Sequence, residues 1–278
     1  MPMKIRKDVL SLSLVSLALI LNGCDRDKSE QKVTAEKTAV AAEKSVEKAD
    51  VLPYLNIQEQ PAKVALPFCE NKNCIDVSIQ TLITVDPWIN QWIEQSQAYV
   101  VQAQVEENKD LSLQQAVNAY VKKSDTWQAE FVKNKAYELS MYTRIPYQRN
   151  QYVLMQIGVD TQQEGVSVKD RHYFFVADRR AQKSLSVLDI IDEKHKLTMN
   201  DIVQTAYAKW LTEQTKDVQK QAPKKLYWGQ SNWFFDEEGI GLHYRPHEII
   251  KDGEQLDIYF SKQQTQQVLK PAVYQLMF

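Results

Sequence analysis

The stretch Gln151-Tyr-Val-Leu-Met-Gln-Ile-Gly-Val-Asp160 decides the fold class. Val153, Met155, Ile157 and Val159 occupy every second position, the period of a strand that turns one face to a core. The segments 136–145 and 171–178 on either side are rich in Tyr, Val, Ile and Phe, which suit a pleated, half-buried surface. Polar connections at 161–165 and 178–183 separate them, so the middle of the chain reads as neighbouring strands.

Outward from this centre, helices and further strands follow. Val77 to Ile83 alternates like a strand. Asp86-Pro87 then supplies a helix N-cap with proline at the first helical position. Trp88, Ile89, Trp92, Ile93, Val100 and Val101 gather on one side of that helix. A second helix is expected over 112–132, with Ala116, Val117, Tyr120, Val121, Trp127 and Phe131 along its apolar stripe. Downstream, Thr198-Met-Asn-Asp201 resembles a capping box with Asp in place of Glu, and opens a helix to about residue 217. Three more strands are expected at 231–235, 239–244 and 255–260. Asp236-Glu-Glu-Gly239 turns between the first two, and a short helix at 262–269 closes the chain. Runs of helices and runs of strands without strict alternation give an α+β fold: an antiparallel sheet of six to seven strands with three main helices against it.

The N-terminal end has a different character. Lys4, Arg6 and Lys7 precede an apolar run from Val9 to Leu21 that is shorter than the roughly 20 residues a bilayer core needs. A charged front, a short apolar middle and small residues before a cut site mark a secretory signal. Leu21-Asn22-Gly23-Cys24 resembles the bacterial lipobox, which implies cleavage before Cys24 and a lipid on its thiol. Anchoring to a membrane facing the periplasm follows. Asp25 matches the enterobacterial pattern that retains lipoproteins at the inner membrane; the outer membrane stays open as the alternative. Residues 24–63 carry mainly Lys, Glu, Ala, Gln and Val, with no aromatic residue before Tyr54. Such a segment buries too little apolar surface to fold alone. It reads as a tether reaching roughly 30–40 Å. The organisation is therefore signal 1–23, tether 24–63 and folded domain 64–278, with a division into two subdomains near residue 180 left open.

Composition excludes several functions. With Lys4, Arg6, Lys7 and Asp8 set aside from 34 basic and 36 acidic residues, 31 and 35 remain, so there is no basic excess for nucleic acid. Seven glycines in the whole chain assemble no phosphate loop or dinucleotide fingerprint, and no cofactor is expected. In an oxidising compartment Cys69 and Cys74 are expected to pair. The short loop they close contributes roughly 2 kcal/mol. Four intervening residues do not fit the spacing of a redox pair, and no partner pair stands nearby for zinc.

The histidines are the best chemical candidates. His243 and His247 with Glu248 would need a third ligand such as Asp236, Glu237 or His172 to hold a metal. Pro246 interrupts the strand between the two histidines, and the simpler reading makes both structural. His172 and His195 are isolated, and no serine lies in a nucleophile elbow. Trp88, Trp92, Trp127 and Trp210 fall on apolar helix faces and read as core. Trp228 and Trp233 are undecided. A ligand site is therefore sought first near Trp228, Tyr244, Arg245 and His247.

The C-terminal run from Asn232-Trp-Phe-Phe through Gly239-Ile-Gly-Leu-His-Tyr-Arg-Pro-His-Glu-Ile249, followed by Leu256-Asp-Ile-Tyr-Phe260, resembles the RsiV-like domain of unknown function. Phe174-Phe-Val-Ala-Asp178, Leu185-Ser-Val-Leu-Asp-Ile-Ile191 and Ile89-Asn90 after Pro87 are similar to that family's earlier segments. The resemblance spans 64–278. It implies an extracytoplasmic recognition module of the kind found in lysozyme-sensing anti-sigma factors and beside some peptidoglycan deacetylases. The chain departs from the family at 162–168, where a glycine-glycine-alanine-histidine segment is absent. Neither a cytoplasmic segment before the signal nor a deacetylase domain is expected. Three functions are carried forward. The first is a non-catalytic binding lipoprotein for an envelope partner, a lysozyme-like protein or peptidoglycan. The second is an envelope hydrolase or metal enzyme using His243, His247 and Glu248. The third is a structural role in envelope assembly.

Overall fold

A computed structural model describes residues 52–69 and 73–278 of the chain. In chain order its elements are β1 (Gln58–Pro61), β2 (Asp76–Ile83), α1 (Pro87–Ala103), α2 (Leu113–Glu130), β3 (Glu138–Arg149), β4 (Tyr152–Gln163), β5 (Val166–Asp178) and β6 (Lys183–Leu185). Next come α3 (Val187–Ile190), a 3-10 turn (Glu193–His195), α4 (Lys196–Glu213), α5 (Lys216–Gln221), β7 (Asn232–Phe235), β8 (Ile240–Tyr244), β9 (Leu256–Tyr259), α6 (Lys262–Val268) and α7 (Pro271–Met277). The α+β class stands. The strands divide between a six-stranded sheet in sequence order β1 to β6 and a separate three-stranded sheet β7-β8-β9. One pair is parallel: β2 runs alongside β3 in register Asp76↔Glu138 to Ile79↔Met141. The α1–α2 connection between them is long enough to carry the chain back to the same end.

The alternation of Val153, Met155, Ile157 and Val159 describes one face of β4 and conceals the other. Val153, Met155, Ile157 and Val159 join the core under α1 and α2. Tyr152 and Leu154, on the opposite face, join a second core built by α3, α4 and the small sheet. Nearly all of β4 is therefore buried on both sides. No residue after Ala177 contributes a buried side chain to the first core, so the core changes close to residue 180. The backbone does not divide there, and Asp50–Phe278 forms one compact unit.

Local chemistry sets the helix ends. Asp86 accepts hydrogen bonds from the main chains of Trp88 and Ile89 at the start of α1. Ser112 and Gln115 form a reciprocal capping box at the start of α2. Thr198 does not cap α4, which begins two residues earlier at Lys196 and continues directly from the 3-10 turn. That helix also stops short of residue 217: Gln214 is extended, and Thr215 caps the separate α5. After α6, Pro271 starts α7, which sequence patterning does not anticipate.

The folded part begins upstream of residue 64. Leu55 is fully buried, its carbonyl accepts from the Val85 N–H at 3.0 Å, and β1 pairs antiparallel with β2. The Arg179 guanidinium, only 4% exposed, joins Asp86 at 3.1 Å and donates to the Pro53 carbonyl at 3.0 Å. Composition reads 52–63 as tether because one buried leucine and a four-residue strand barely alter it. The lipobox, Asp25 and residues 24–51 lie outside the described residues. Cys69 and Cys74 are joined in a disulfide with Cα atoms 5.8 Å apart, the pairing expected of them.

Candidate functional site

In β9, Leu256 and Ile258 enter the second core, while Asp257 and Tyr259 face outward. Alongside lies α4, where Asp201, Ile202, Thr205, Ala206, Lys209, Trp210 and Glu213 share one side. Between helix and strand runs an open groove of about 720 Å³. Trp210 closes its floor by donating from Nε1 to the Gln255 carbonyl at 3.1 Å. Asp201, Glu213 and Asp257 outnumber Lys209 along the walls, so the groove is acidic.

The outward residues of β9 are held by neighbours. Tyr259 donates its hydroxyl to Asp236 in the β7–β8 turn while the residue stays 46% exposed. Burial and then the Asp236 carboxylate push the Tyr259 phenol well above its ordinary range. Asp257 lies 2.6 Å from His243 Nδ1 and accepts from the Gln255 amide. Burial raises the Asp257 carboxyl, but the hydrogen bond and field of His243, with Gln255, outweigh it and hold it below the usual carboxylate value.

His243 itself is a structural tie. It is 2% exposed, and its Nε2 donates to the His172 carbonyl on β5 at 3.2 Å. Asn232 stands directly opposite His243 in the β7–β8 register. Its Oδ1 accepts from the Phe174 N–H on β5 at 3.1 Å. The two side chains occupy the donor and acceptor that β5 would otherwise offer to a neighbouring strand. Phe174 packs edge-on against His243 at 5.0 Å and tilts against Phe234 at 5.1 Å, completing the seam. Farther along the same face, Tyr142, Gly158 and His172 are cross-strand neighbours. A Cβ on Gly158 would lie 2.2 Å from the Tyr142 ring, so only glycine lets that ring cross β4, where its hydroxyl meets His172 Nε2 at 3.1 Å.

The residues singled out in the sequence do not converge. Trp228 is 8% exposed and belongs to the second core. Tyr244 is buried beside it, its hydroxyl donating to the Tyr227 carbonyl at 3.1 Å. Arg245 stacks 4.2 Å over the Tyr173 ring, donates to Asn232 at 2.7 Å and pairs with Glu248 at 3.0 Å. His247 is exposed in the loop beyond, where its Nδ1 accepts from the Asp252 N–H at 3.1 Å. His243, His247 and Glu248 therefore have separate partners. Among the described residues no group of three or more His, Cys, Asp or Glu side chains is arranged to hold a metal. None of the four expected ligand-site residues lines the α4–β9 groove. Asp257 and Tyr259, which do, follow from the alternation of Leu256-Asp-Ile-Tyr259; the helix beside them does not.

This architecture recurs in solved structures. A DUF3298 family protein from Pseudomonas aeruginosa PAO1 superposes with a TM-score of 0.58 at 17% identity, covering 80% of this chain and 97% of its own. A DUF3298 member from Bacteroides fragilis NCTC 9343 gives 0.52 at 14% identity, with the same two coverages of 80% and 97%. This chain has the DUF3298 fold. No family model and no curated protein matches the sequence.

Proposed function

We propose that this chain is an envelope lipoprotein, held by a lipid on Cys24, whose folded domain binds a partner in the α4–β9 groove and carries out no chemistry. The acidic, solvent-open groove between α4 and β9 carries this reading, since it gathers charged side chains and a half-exposed tyrosine in one concave surface. The DUF3298 fold supports it, because DUF3298 domains are related to the RsiV-like extracytoplasmic modules that the C-terminal sequence resembles. The lipobox-like Leu21-Asn22-Gly23-Cys24 supplies the proposed point of attachment; among the described residues no helix is long and apolar enough to cross a membrane. The partner is an envelope protein, most specifically one of lysozyme type. The exposed Tyr259 ring beside the Asp257 carboxylate favours cell-wall glycan as the second form of the reading.

The full chain, purified in detergent, is tested for inhibition of lysozyme and for retention on peptidoglycan sacculi. One of the two is expected, and Thr205→Trp, which fills the groove from an exposed position, removes it. No inhibition and no retention sinks both forms. Separately, cells fed a labelled fatty acid incorporate it into the wild-type chain and not into Cys24→Ala. An unlabelled wild-type chain removes the anchor from the proposal.

A further inference from the structure

β9 is an edge strand. In the three-stranded sheet it pairs with β8 alone, in register Gly241↔Tyr259 to Tyr244↔Leu256. The Phe260 N–H donates to the Ile240 carbonyl at 2.9 Å, which makes that pair hydrogen-bonded. Alternation then directs the main chain of Leu256 and Ile258 toward β8, and that of Asp257 and Tyr259 the other way. The Asp236 N–H to Gly239 carbonyl bond at the β7–β8 turn fixes the same phase from the opposite side of β8. The N–H and C=O groups of Asp257 and Tyr259 thus point into the groove beside α4. A short edge left to solvent is commonplace. This edge differs in having a helix beside it across an open groove, with Ile202 and Ala206 half-buried on the facing side.

We infer that β9 accepts an extended peptide segment of a partner protein as an added strand, with basic and apolar residues in alternation. The inference rests on the binding reading above and names the partner class for the same groove. Four unspent main-chain groups match the ladder of an extended peptide, while the side-chain alternation of the incoming strand meets two different walls. Inward positions meet Ile202, Ala206 and the rim of Trp210, which suits apolar residues. The surrounding charge favours Lys or Arg at the others, because Asp201, Glu213 and Asp257 outnumber Lys209. The acidic turn Asp236-Glu237-Glu238 adds to this at the Tyr259 end, where its charges reach the Tyr259 phenol.

The test uses the full chain in detergent with four probes: an end-capped Lys-Val hexapeptide, the same peptide N-methylated at alternate residues, a Glu-Val hexapeptide and chitotetraose. Amide hydrogen exchange is read at Asp257 and Tyr259. The Lys-Val peptide is expected to slow exchange at both. The methylated copy, unable to complete the ladder, and the Glu-Val peptide each bind about tenfold more weakly, the change equivalent to roughly 1.4 kcal/mol. Tyr259→Pro removes a donor on the free edge and is expected to weaken the Lys-Val peptide similarly. Thr205→Trp, which leaves the strand untouched, does the same if the proline variant fails to fold. Equal binding of plain and methylated peptides overturns strand addition. Protection by chitotetraose alone overturns the peptide and leaves the binding module standing as a glycan reader. Lysozyme or sacculus binding that survives Thr205→Trp, with no protection by any probe, overturns the groove as the site; loss of all binding by the wild-type chain overturns the binding reading itself.

Discussion

In the six-stranded sheet, β3, β4 and β5 run to 12, 12 and 13 residues, while the strands of the small sheet have 4, 5 and 4. The long strands are joined by long backbone ladders, each interrupted once by a register shift, and are covered on one face by α1 and α2. The small sheet has only its own short ladders. It is fastened to β5 by the side chains of Asn232 and His243, and it leaves β9 unpaired along one edge. A region held by many backbone bonds opens rarely, and one held by a few side-chain bonds opens more readily. Placing an open groove in the second region and rigidity in the first is a workable division for a binding module.

Core truncation gives the largest effect and the strongest challenge to this contrast. Ile157→Ala, in the first core, is expected to cost about 2–5 kcal/mol, and Phe235→Ala, in the second, about 3–5 kcal/mol. The distribution of the loss distinguishes them. Native-state hydrogen exchange on Phe235→Ala is expected to show lost protection in β7 to β9 and α4 with β4 still protected, whereas Ile157→Ala lowers protection everywhere. Uniform loss in both variants would make the two regions one cooperative unit and abolish the contrast.

The seam is the next target. His243→Ala leaves the His172 carbonyl without its donor, and Asn232→Ala leaves the Phe174 N–H without its acceptor. Each is expected to cost about 1–3 kcal/mol. Because the two side chains close the same stretch of β5, the double variant should cost less than the sum of the singles. Denaturant unfolding of all four proteins measures this coupling. Strict additivity would mean that each residue acts alone and that no shared seam exists.

The sequence carries the strands themselves better than it carries their arrangement. Period-two alternation places β2 and β4, since each strand has one face that must be apolar wherever its partners lie. The helix starts at Asp86 and Ser112 are legible because capping is local. The seam is not, because Asn232 and His243 reach partners 58 and 71 residues away. The groove is equally hidden: Trp210 reads correctly as core, yet its indole N–H reaches Gln255 and so brings α4 alongside β9. Trp228 and Tyr244 stand among the residues where a ligand site is first sought, but the second core, assembled from distant segments, encloses them. The burial of Leu55 depends on pairing with β2, which composition does not register.

Removing the disulfide tests the periphery of the larger sheet. Replacing Cys69 and Cys74 with serine releases a loop closed over a sequence separation of only 5, so the loss is expected to be roughly 2 kcal/mol at most. Mass-spectrometric hydrogen exchange should confine it to the segment leading into β2. A loss of protection reaching β7 to β9 would show that the two regions are coupled through the N-terminal arm.

The smallest effect is a pH dependence at His172, whose ring meets Tyr142 beside the seam. Burial first, then the fields of His243 and Arg144, depress the His172 imidazole below its ordinary value of 6.5, while Asp170 and Asp160 partly oppose them. The unfolded chain therefore takes up this proton before the folded chain does. The stability held in neutral His172 is present above about pH 6.5 and declines as pH falls toward the folded value. Asp257 gives a second decline that begins near its ordinary value of 3.8, because its folded carboxyl is also depressed and its stabilising charge is lost on acidification. Both slopes have the same sign and occupy different pH windows. Urea midpoints measured downward from about pH 7 should show the first decline in the wild type and not in His172→Gln, which can still accept from Tyr142. Asp257→Asn should keep the first decline and lose the second. Faster exchange in β3 and β5 than in β7 to β9 during the first decline would place the weakened bond at the Tyr142–His172 contact. Persistence of that decline in His172→Gln would assign it to another group.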